Sequence, residues 1–222
     1  MGLKKLPLED YKMTDFKHYT ILSDLFRYPS ERLIDDALEA IGVLSCEYPE
    51  QAEIIKGFIE NFSGLTIHQR QEYYIKTFDI QAVCFLDIGY VLFGEDYKRG
   101  DFLVQMKQEQ REANNDCGVE LSDHLPNVLT LLPKASKEFS EELIATICIP
   151  ALDEMIDKFN MQNAYLELLK MLQNVMKQDT LGTSYIPFII KREDDTGFLS
   201  NYKGCGIDQS LFERKNTTTK QF

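Results

Sequence analysis

Apolar residues recur every three or four positions along most of the chain, the spacing that places side chains on one face of an α-helix. No stretch shows the alternation of apolar and polar positions that predicts a half-buried β-strand. The connections between the apolar stretches are short, and no internal repeat occurs. The pattern therefore predicts an all-α protein, a single-domain bundle of about eight helices.

Proline, glycine and small polar residues predict where these helices begin and end. Thr66 opens a long helix that Gly94 ends, Ser140 caps a later one, and Pro150 should kink or divide that later helix. The predicted helices cover approximately residues 14–27, 30–44, 49–63, 66–93, 97–114, 126–133, 140–159 and 163–177.

The composition changes after Asp179, where glycine, threonine, asparagine and mixed charges replace the apolar pattern. Few positions there could face a core. We therefore predict a helical domain over residues 1–179 and a tail over residues 180–222 that is flexible, either mobile or bound to a partner.

The net charge of −12 lies in the predicted helical body, since residues 191–222 carry +1 and residues 1–190 carry −13. Such acidity argues against nucleic acid or an anionic membrane surface as a partner. It suits a basic protein or peptide, although solubility alone also explains an acidic surface.

Targeting and metal-binding signals are absent from the sequence. The five cysteines are widely spaced with no CxxC pair, and Cys84 and Cys148 fall in apolar stretches typical of a core. The first residues lack a secretory signal, and no apolar run approaches the roughly 20 residues of a membrane span. We predict a cytoplasmic protein without a metal site.

Common catalytic motifs are absent as well. The chain has no glycine-rich phosphate loop between a strand and a helix, no HExxH and no GxSxG. A Ser–His or Cys–His pair that assembles only in the fold stays open. We expect a protein that is not an enzyme, with no catalytic residue and no cofactor of its own.

The segment Glu120–Pro126 places an imidazole beside a carboxylate at the predicted start of a helix. Ser122 or Asp123 can cap the first turn, and Pro126 lies early enough to be tolerated. One interpretation is a helix cap followed by a solvated histidine. The other is an Asp123–His124 step that holds the imidazole in one tautomer and tunes its pKa.

Four segments in a fixed order, within about residues 66–135, carry a family resemblance: Tyr73–Asp79, Tyr90–Glu95, Lys98–Gly100 and Glu120–Pro126. Together they resemble the delta-subunit family of respiratory nitrate reductases, within the wider group of maturation chaperones for TMAO and DMSO reductases. Weaker similarity extends to residues 19–29 and to the helices up to Lys177, and does not cover the tail.

The resemblance implies an all-α fold and a non-catalytic task. Such a chaperone binds the catalytic subunit, typically near its N-terminus, until the molybdenum bis-pterin cofactor is inserted, and then leaves. In the wider group a Glu-x-x-Asp-His segment is implicated in binding the partner's leader peptide, which carries over to Glu120, Asp123 and His124. Leu125 and Pro126 frame the helix.

Residues near the predicted helix break at Gly94 could complete such a peptide site. Arg99 could pair with Glu95 or Asp123, or be solvated. Three aromatic residues could line a groove for the peptide, with plain core packing as the alternative: Tyr90, Phe93 and Tyr97.

These observations predict a cytoplasmic chaperone for a nitrate-reductase-like molybdenum enzyme, acting by reversible peptide binding. The alternatives are a small helical enzyme or nucleotide-binding regulator that uses Asp123 and His124, and a chaperone for a related oxidoreductase. Asp123→Ala should weaken partner binding more than it lowers stability, unless Asp123 is only a helix cap worth about 1 kcal/mol.

Overall fold

A computed structural model describes residues 15–189. Within that range the regular structure is helical and no strand forms, which confirms the all-α prediction. The helices are α1 (His18–Asp24), α2 (Leu33–Leu44), α3 (Pro49–Phe62), α4 (Ile67–Phe78), α5 (Ile88–Phe93), α6 (Tyr97–Glu112), α7 (Leu125–Leu131), α8 (Lys137–Leu143), a π-helical segment (Ile144–Cys148), α9 (Ile149–Asp157) and α10 (Ala164–Asp179).

The predicted long helix over residues 66–93 is wrong, because the chain leaves the helix after Phe78 and re-enters at Ile88. Asp79 has non-helical angles (φ −129°, ψ −87°), and Gln81 is left-handed at φ 53°. The N–H groups of residues 83 and 84 then both donate to the Thr77 carbonyl, at 3.0 and 3.2 Å. The loop between α4 and α5 thus replaces two helical turns.

Side-chain caps fix several helix starts. Thr66 and Gln69 form a reciprocal capping box at α4, and Asn163 accepts from the Tyr165 N–H at α10. The predicted cap at Ser140 is wrong. Ser136 caps α8, because its hydroxyl accepts from the residue 139 N–H at 3.3 Å. Ser140 is buried, and its hydroxyl donates to the Leu132 carbonyl just after α7.

Helix α10 packs against α3 and α9 and lies at the centre of the bundle. The fully buried Tyr165 lies in its first turn, and five aromatic rings of α3 and α4 surround this side chain at centroid distances between 4.9 and 5.9 Å: Phe58, Phe62, Tyr73, Tyr74 and Phe78. Much of the aromatic content is therefore core packing.

A buried polar junction ties α1 to the last turn of α10. Asp179 accepts hydrogen bonds from the hydroxyls of Tyr19, at 2.6 Å, and Tyr48, and its Oδ2 lies 2.9 Å from His18 Nε2. All four side chains are buried. The contact between His18 and Asp179 was not predicted, because 161 positions of the sequence separate the two residues.

The predicted tail over residues 180–222 is described only in its first part. Residues 181–189 form no helix, and the Phe188 N–H donates to the Thr146 carbonyl at 2.9 Å. Residues 190–222 lie outside the described range, so a mobile or partner-bound tail there stays a prediction.

Helices α8 and α9 are continuous through the π-helical segment, which ends at Cys148, two residues before Pro150. The helix that was predicted to kink or divide at Pro150 changes its hydrogen-bond pattern before this proline and does not end there. Cys84 and Cys148 are buried as expected, and the four cysteines of the described range are free. Among residues 15–189 no helix has both the length and the apolarity needed to cross a membrane.

Candidate functional site

The loop before α5 lies antiparallel to the loop before α7, so that two distant segments meet. The residue 125 N–H donates to the residue 86 carbonyl at 2.9 Å, and the Ile88 N–H donates to the Asp123 carbonyl at 3.1 Å. These bonds form an isolated bridge between Asp87 and His124. The chain thereby places the two side chains on the same edge of the bundle.

Asp87 and His124 form a partly buried hydrogen-bonded pair. The distance from His124 Nδ1 to Asp87 Oδ1 is 3.1 Å, and the side chains are 16% and 29% exposed. The carboxylate orients the imidazole by accepting from Nδ1–H. His124 Nε2 makes no hydrogen bond to the described part of the chain.

Arg99 of α6 also approaches Asp87. Its terminal nitrogen lies 3.9 Å from Asp87 Oδ2, and its guanidinium carbon lies 5.0 Å from the centroid of the Tyr90 ring. Tyr90 in turn meets the half-exposed Phe85 edge-to-face at 5.1 Å. We call these five residues, Phe85, Asp87, Tyr90, Arg99 and His124, the Asp87 surface.

Three carboxylates act electrostatically on one buried hydroxyl, that of Tyr74, and we call them the acidic border: Asp79, Asp87 and Glu120. Burial raises the pKa of the Tyr74 hydroxyl first, and the negative charges of these three groups raise it further. Glu120 and Asp79 are exposed. Exposed apolar side chains lie on the flanking loops, Ile80 at 66% and Leu121 at 46%. The Asp87 surface and its flanking loops therefore combine negatively charged groups with exposed apolar side chains.

Asp123 points inward, away from its neighbour His124. Its side chain is fully buried, Oδ2 accepts from the Gly89 N–H at 3.1 Å, and Oδ1 is buried without a partner among the described residues. Burial raises the pKa of this carboxyl, the Asp87 charge raises it further, and Arg99 opposes the shift. Asp123 is therefore no cap of α7; His124 occupies that position and makes no capping bond.

Gly89 permits this close approach. A Cβ at this position would lie 2.6 Å from Asp123 Oδ2 and 2.8 Å from a ring carbon of Phe102. Both distances are shorter than van der Waals contact, and neither neighbour can withdraw freely, since both are fully buried. The glycine thus lets α5 lie directly on the Asp123 carboxylate.

We expect Gly89→Ala to lower the free energy of unfolding by about 2 kcal/mol, because the methyl group forces α5 away from Asp123 and Phe102. Gly57→Ala in α3 is the matched control. Nothing lies within 4 Å of its added Cβ, so it should raise stability by about 0.5–1 kcal/mol through helix propensity. Urea unfolding of both variants measures the difference, and equal effects of the two would contradict the close contact at Gly89.

Asp123→Asn should remove a pH-dependent loss of stability. Because the folded-state pKa of Asp123 is raised, it lies above the unfolded-state value of about 3.9. Between those two values the folded protein holds more protons, so the contribution of Asp123 to stability falls as pH rises. Asparagine keeps an oxygen for the Gly89 N–H and carries no charge.

The stability gain of the Asp123→Asn protein over the wild type should therefore grow with pH through that window and then level off. Urea unfolding of both proteins over a pH series from about 4 to 8 measures this difference. A difference that stays constant or shrinks as pH rises would mean that burial does not raise the carboxyl pKa.

The predicted site residues fall into three groups. Tyr90, Arg99 and His124 come together, but Arg99 pairs with Asp87 and not with Glu95 or Asp123. Asp123, Leu125 and Pro126 are buried, so we reassign them from partner contact to support of the surface.

The remaining three predicted residues lie at different places around the surface. Glu120 belongs to the acidic border, and Tyr97 is 76% exposed at the start of α6. Phe93 is half-buried and packs against Phe102 and Phe188. Because Asp123 is buried, we expect Asp123→Ala to lower the free energy of unfolding as well as the affinity for the partner.

Sequence analysis missed Asp87 and Phe85, which join the predicted residues. Both lie in the segment that the sequence assigned to the middle of a long helix, where their side chains would point to different faces. The sequence did contain one signal for a helix start here. Asp87 directly precedes the apolar run Ile88–Phe93, which is the N-cap position of that helix.

Two open grooves lie on the described surface. The larger has a volume of about 690 Å³ beside α1 and α2, where Arg27 and Arg32 are already paired with Asp24 and Asp36. The smaller, about 430 Å³, lies beside α4 and includes Ile80. In the described range no three histidine, cysteine or acidic side chains assemble as a metal site.

No protein-family model matches the chain, and no curated protein is significantly similar to it.

Proposed function

We propose that this protein is an assembly chaperone that binds the catalytic subunit of a nitrate-reductase-like molybdenum oxidoreductase near its N-terminus. In that role it keeps the subunit competent for molybdenum-cofactor insertion. One observation carries the proposal. Tyr90, Arg99 and His124 come from three different segments that resemble the delta-subunit family, and they meet around Asp87 on one surface.

The chemistry of this surface suits a basic, partly apolar peptide. The carboxylates of Asp79, Asp87 and Glu120 attract positive side chains, and the excess negative charge of the body steers such a peptide from a distance. Phe85 and Ile80 offer exposed apolar contact area. An amphipathic segment of the partner can thus bury its apolar face while its basic side chains meet the acidic border.

The half-exposed polar groups are already oriented before a partner arrives. Asp87 holds the His124 ring, Tyr90 supports the Arg99 guanidinium, and buried Asp123 fixes the start of α5 through Gly89. Binding then costs little ordering of these side chains. A chaperone must also release its client, so we expect micromolar affinity, about −8 kcal/mol.

The test is co-expression of the tagged full chain with a molybdenum-binding catalytic subunit of the nitrate-reductase type from its own host. Co-purification of that subunit before cofactor insertion, and its loss when the first residues of the subunit are removed, are the expected results. Molybdenum content of the subunit made without the chaperone should fall. A subunit that is loaded with molybdenum equally well with and without this chain, and does not co-purify with it, contradicts the proposal.

A further inference from the structure

The buried Asp123 carboxyl is hydrogen-bonded on one side only. Its Oδ2 accepts from the Gly89 N–H at 3.1 Å, and its main-chain carbonyl accepts from the Ile88 N–H at 3.1 Å. Its Oδ1 is buried and accepts no hydrogen bond from residues 15–189. Because a buried carboxylate with an unsatisfied oxygen is costly, this geometry favours a carboxyl that keeps its proton.

Arg99 is the positive group that opposes this preference. Its guanidinium carbon lies 5.0 Å from the centroid of the Tyr90 ring, and Tyr90 directly follows Gly89 in α5. The Arg99 Nε is buried and makes no hydrogen bond to the described residues. Its terminal nitrogen lies 3.9 Å from Asp87 Oδ2, which is too long for a hydrogen bond. The Arg99 charge is therefore not held tightly by Asp87.

Asp87 at the start of α5 acts on the same buried carboxyl with the opposite sign. Burial raises the pKa of Asp123 most, the Asp87 charge raises it further, and the Arg99 charge and the Gly89 N–H lower it. His124 adjoins Asp123 on its own loop and pairs with Asp87. The Asp87 side chain is partly exposed and Asp123 is not. A charge that binds at the surface can thus act on the buried group through space.

We propose that a basic side chain of the partner, by pairing with Asp87, causes the buried Asp123 carboxyl to release its proton to water. The partner's positive charge cancels that of Asp87, and Arg99 then acts on Asp123 without opposition. The O–H bond of the carboxyl breaks, its electron pair stays on the oxygen, and the proton passes to solvent. This inference rests on the proposed function above, since it takes the partner segment to be basic.

Proton release makes partner binding depend on pH. The free protein holds more protons than the complex, so the affinity rises with pH through the range in which Asp123 titrates. The ionised carboxylate also accepts a stronger, charge-assisted hydrogen bond from the Gly89 N–H. Binding of the partner should therefore hold the start of α5 more firmly on the loop before α7.

The first test uses the full chain alone, with Asp87→Asn in place of an Asp87 whose charge a partner has cancelled. Carbon-13 NMR of the side-chain carboxyls follows the Asp123 signal, identified by its absence from the Asp123→Asn protein, over a pH series from about 4 to 8. We expect Asp87→Asn to lower the titration midpoint of Asp123 and Arg99→Gln to raise it. Asp101→Asn on the exposed side of α6 is the matched control and should leave the midpoint unchanged. A midpoint that does not fall in the Asp87→Asn protein overturns the proposal.

The second test is isothermal titration calorimetry of the full chain with a synthetic N-terminal segment of the catalytic subunit. Buffers of different ionisation enthalpy count the protons that binding releases. We expect up to about one proton more from the wild type than from the Asp123→Asn protein. The ratio of wild-type to variant affinity should rise about fivefold or more across the pH series. Protons that leave His124 or the acidic border are released by both proteins and cancel in this comparison.

The two tests separate the failure of this inference from the failure of the proposed function. If Asp87→Asn lowers the midpoint and the segment does not bind, the chaperone role fails and the coupling of Asp87 to Asp123 stands. If the segment binds and both proteins release equal numbers of protons, the proton release fails alone.

Discussion

Asp179→Ala should lower the free energy of unfolding by about 3 kcal/mol or more. The substitution leaves three buried donors, the Tyr19 and Tyr48 hydroxyls and the His18 ring, without their shared acceptor. Each buried polar group that loses its partner costs about 1–3 kcal/mol, and water cannot easily replace the carboxylate in this packed interior. The substitution also removes the hydrogen bonds that join α1 to the end of α10.

Urea unfolding monitored by circular dichroism measures the change. Asp101→Ala on the exposed side of α6 is the matched control and should stay within about 0.5 kcal/mol of the wild type. An Asp179→Ala protein that loses less than about 1 kcal/mol would show that Asp179 is not the acceptor on which these buried donors depend.

His124→Ala should weaken binding of the catalytic subunit's N-terminal segment at least about tenfold, the usual effect of removing a central contact residue. The reason is that the imidazole is the partly exposed, oriented group at the centre of the Asp87 surface. Stability should change by less than about 1 kcal/mol, because the side chain is not part of the buried core.

Isothermal titration calorimetry with the synthetic segment measures the affinity, and circular dichroism confirms the fold of the variant. Asn61→Ala is the control, since Asn61 is exposed near the end of α3 and lines neither of the two grooves described above. Equal affinities of the wild type and the His124→Ala protein would remove His124 from the binding site.

The apolar periodicity was sufficient to predict the fold class, because helix spacing is a local property of the sequence. Helices α6 and α10 lie close to their predicted bounds for this reason. The break after Phe78 could not be predicted in the same way. It depends on Asp79 and Gln81 leaving the helical region while the Thr77 carbonyl accepts two loop N–H groups, and apolar spacing continues through that loop.

The adjacent residues Asp123 and His124 show a second limit of sequence reasoning. His124 is extended, with φ −63° and ψ 128°, and successive side chains of an extended chain point to opposite sides. One side chain is therefore buried against Gly89 while the other pairs with Asp87 at the surface. Neighbours in the sequence suggested one functional pair, whereas the fold divides them between support and contact.

Pairs distant in the sequence were beyond prediction. Asp87 meets His124 across 37 positions, and nothing local marks either residue as the partner of the other. The same holds for His18 and Asp179, although α1 and α10 were both expected. Apolar periodicity predicts which face of a helix is buried, but it does not predict which polar side chains meet when the helices pack.

The most direct test of the central claim is hydrogen–deuterium exchange of the full chain, free and bound to the catalytic subunit's N-terminal segment. We expect slower exchange on binding in peptides that cover residues 84–92 and 119–126, which contain most of the Asp87 surface. Slower exchange confined to the groove beside α1 and α2, with no change at Asp87 and His124, would contradict the assignment of this surface as the binding site.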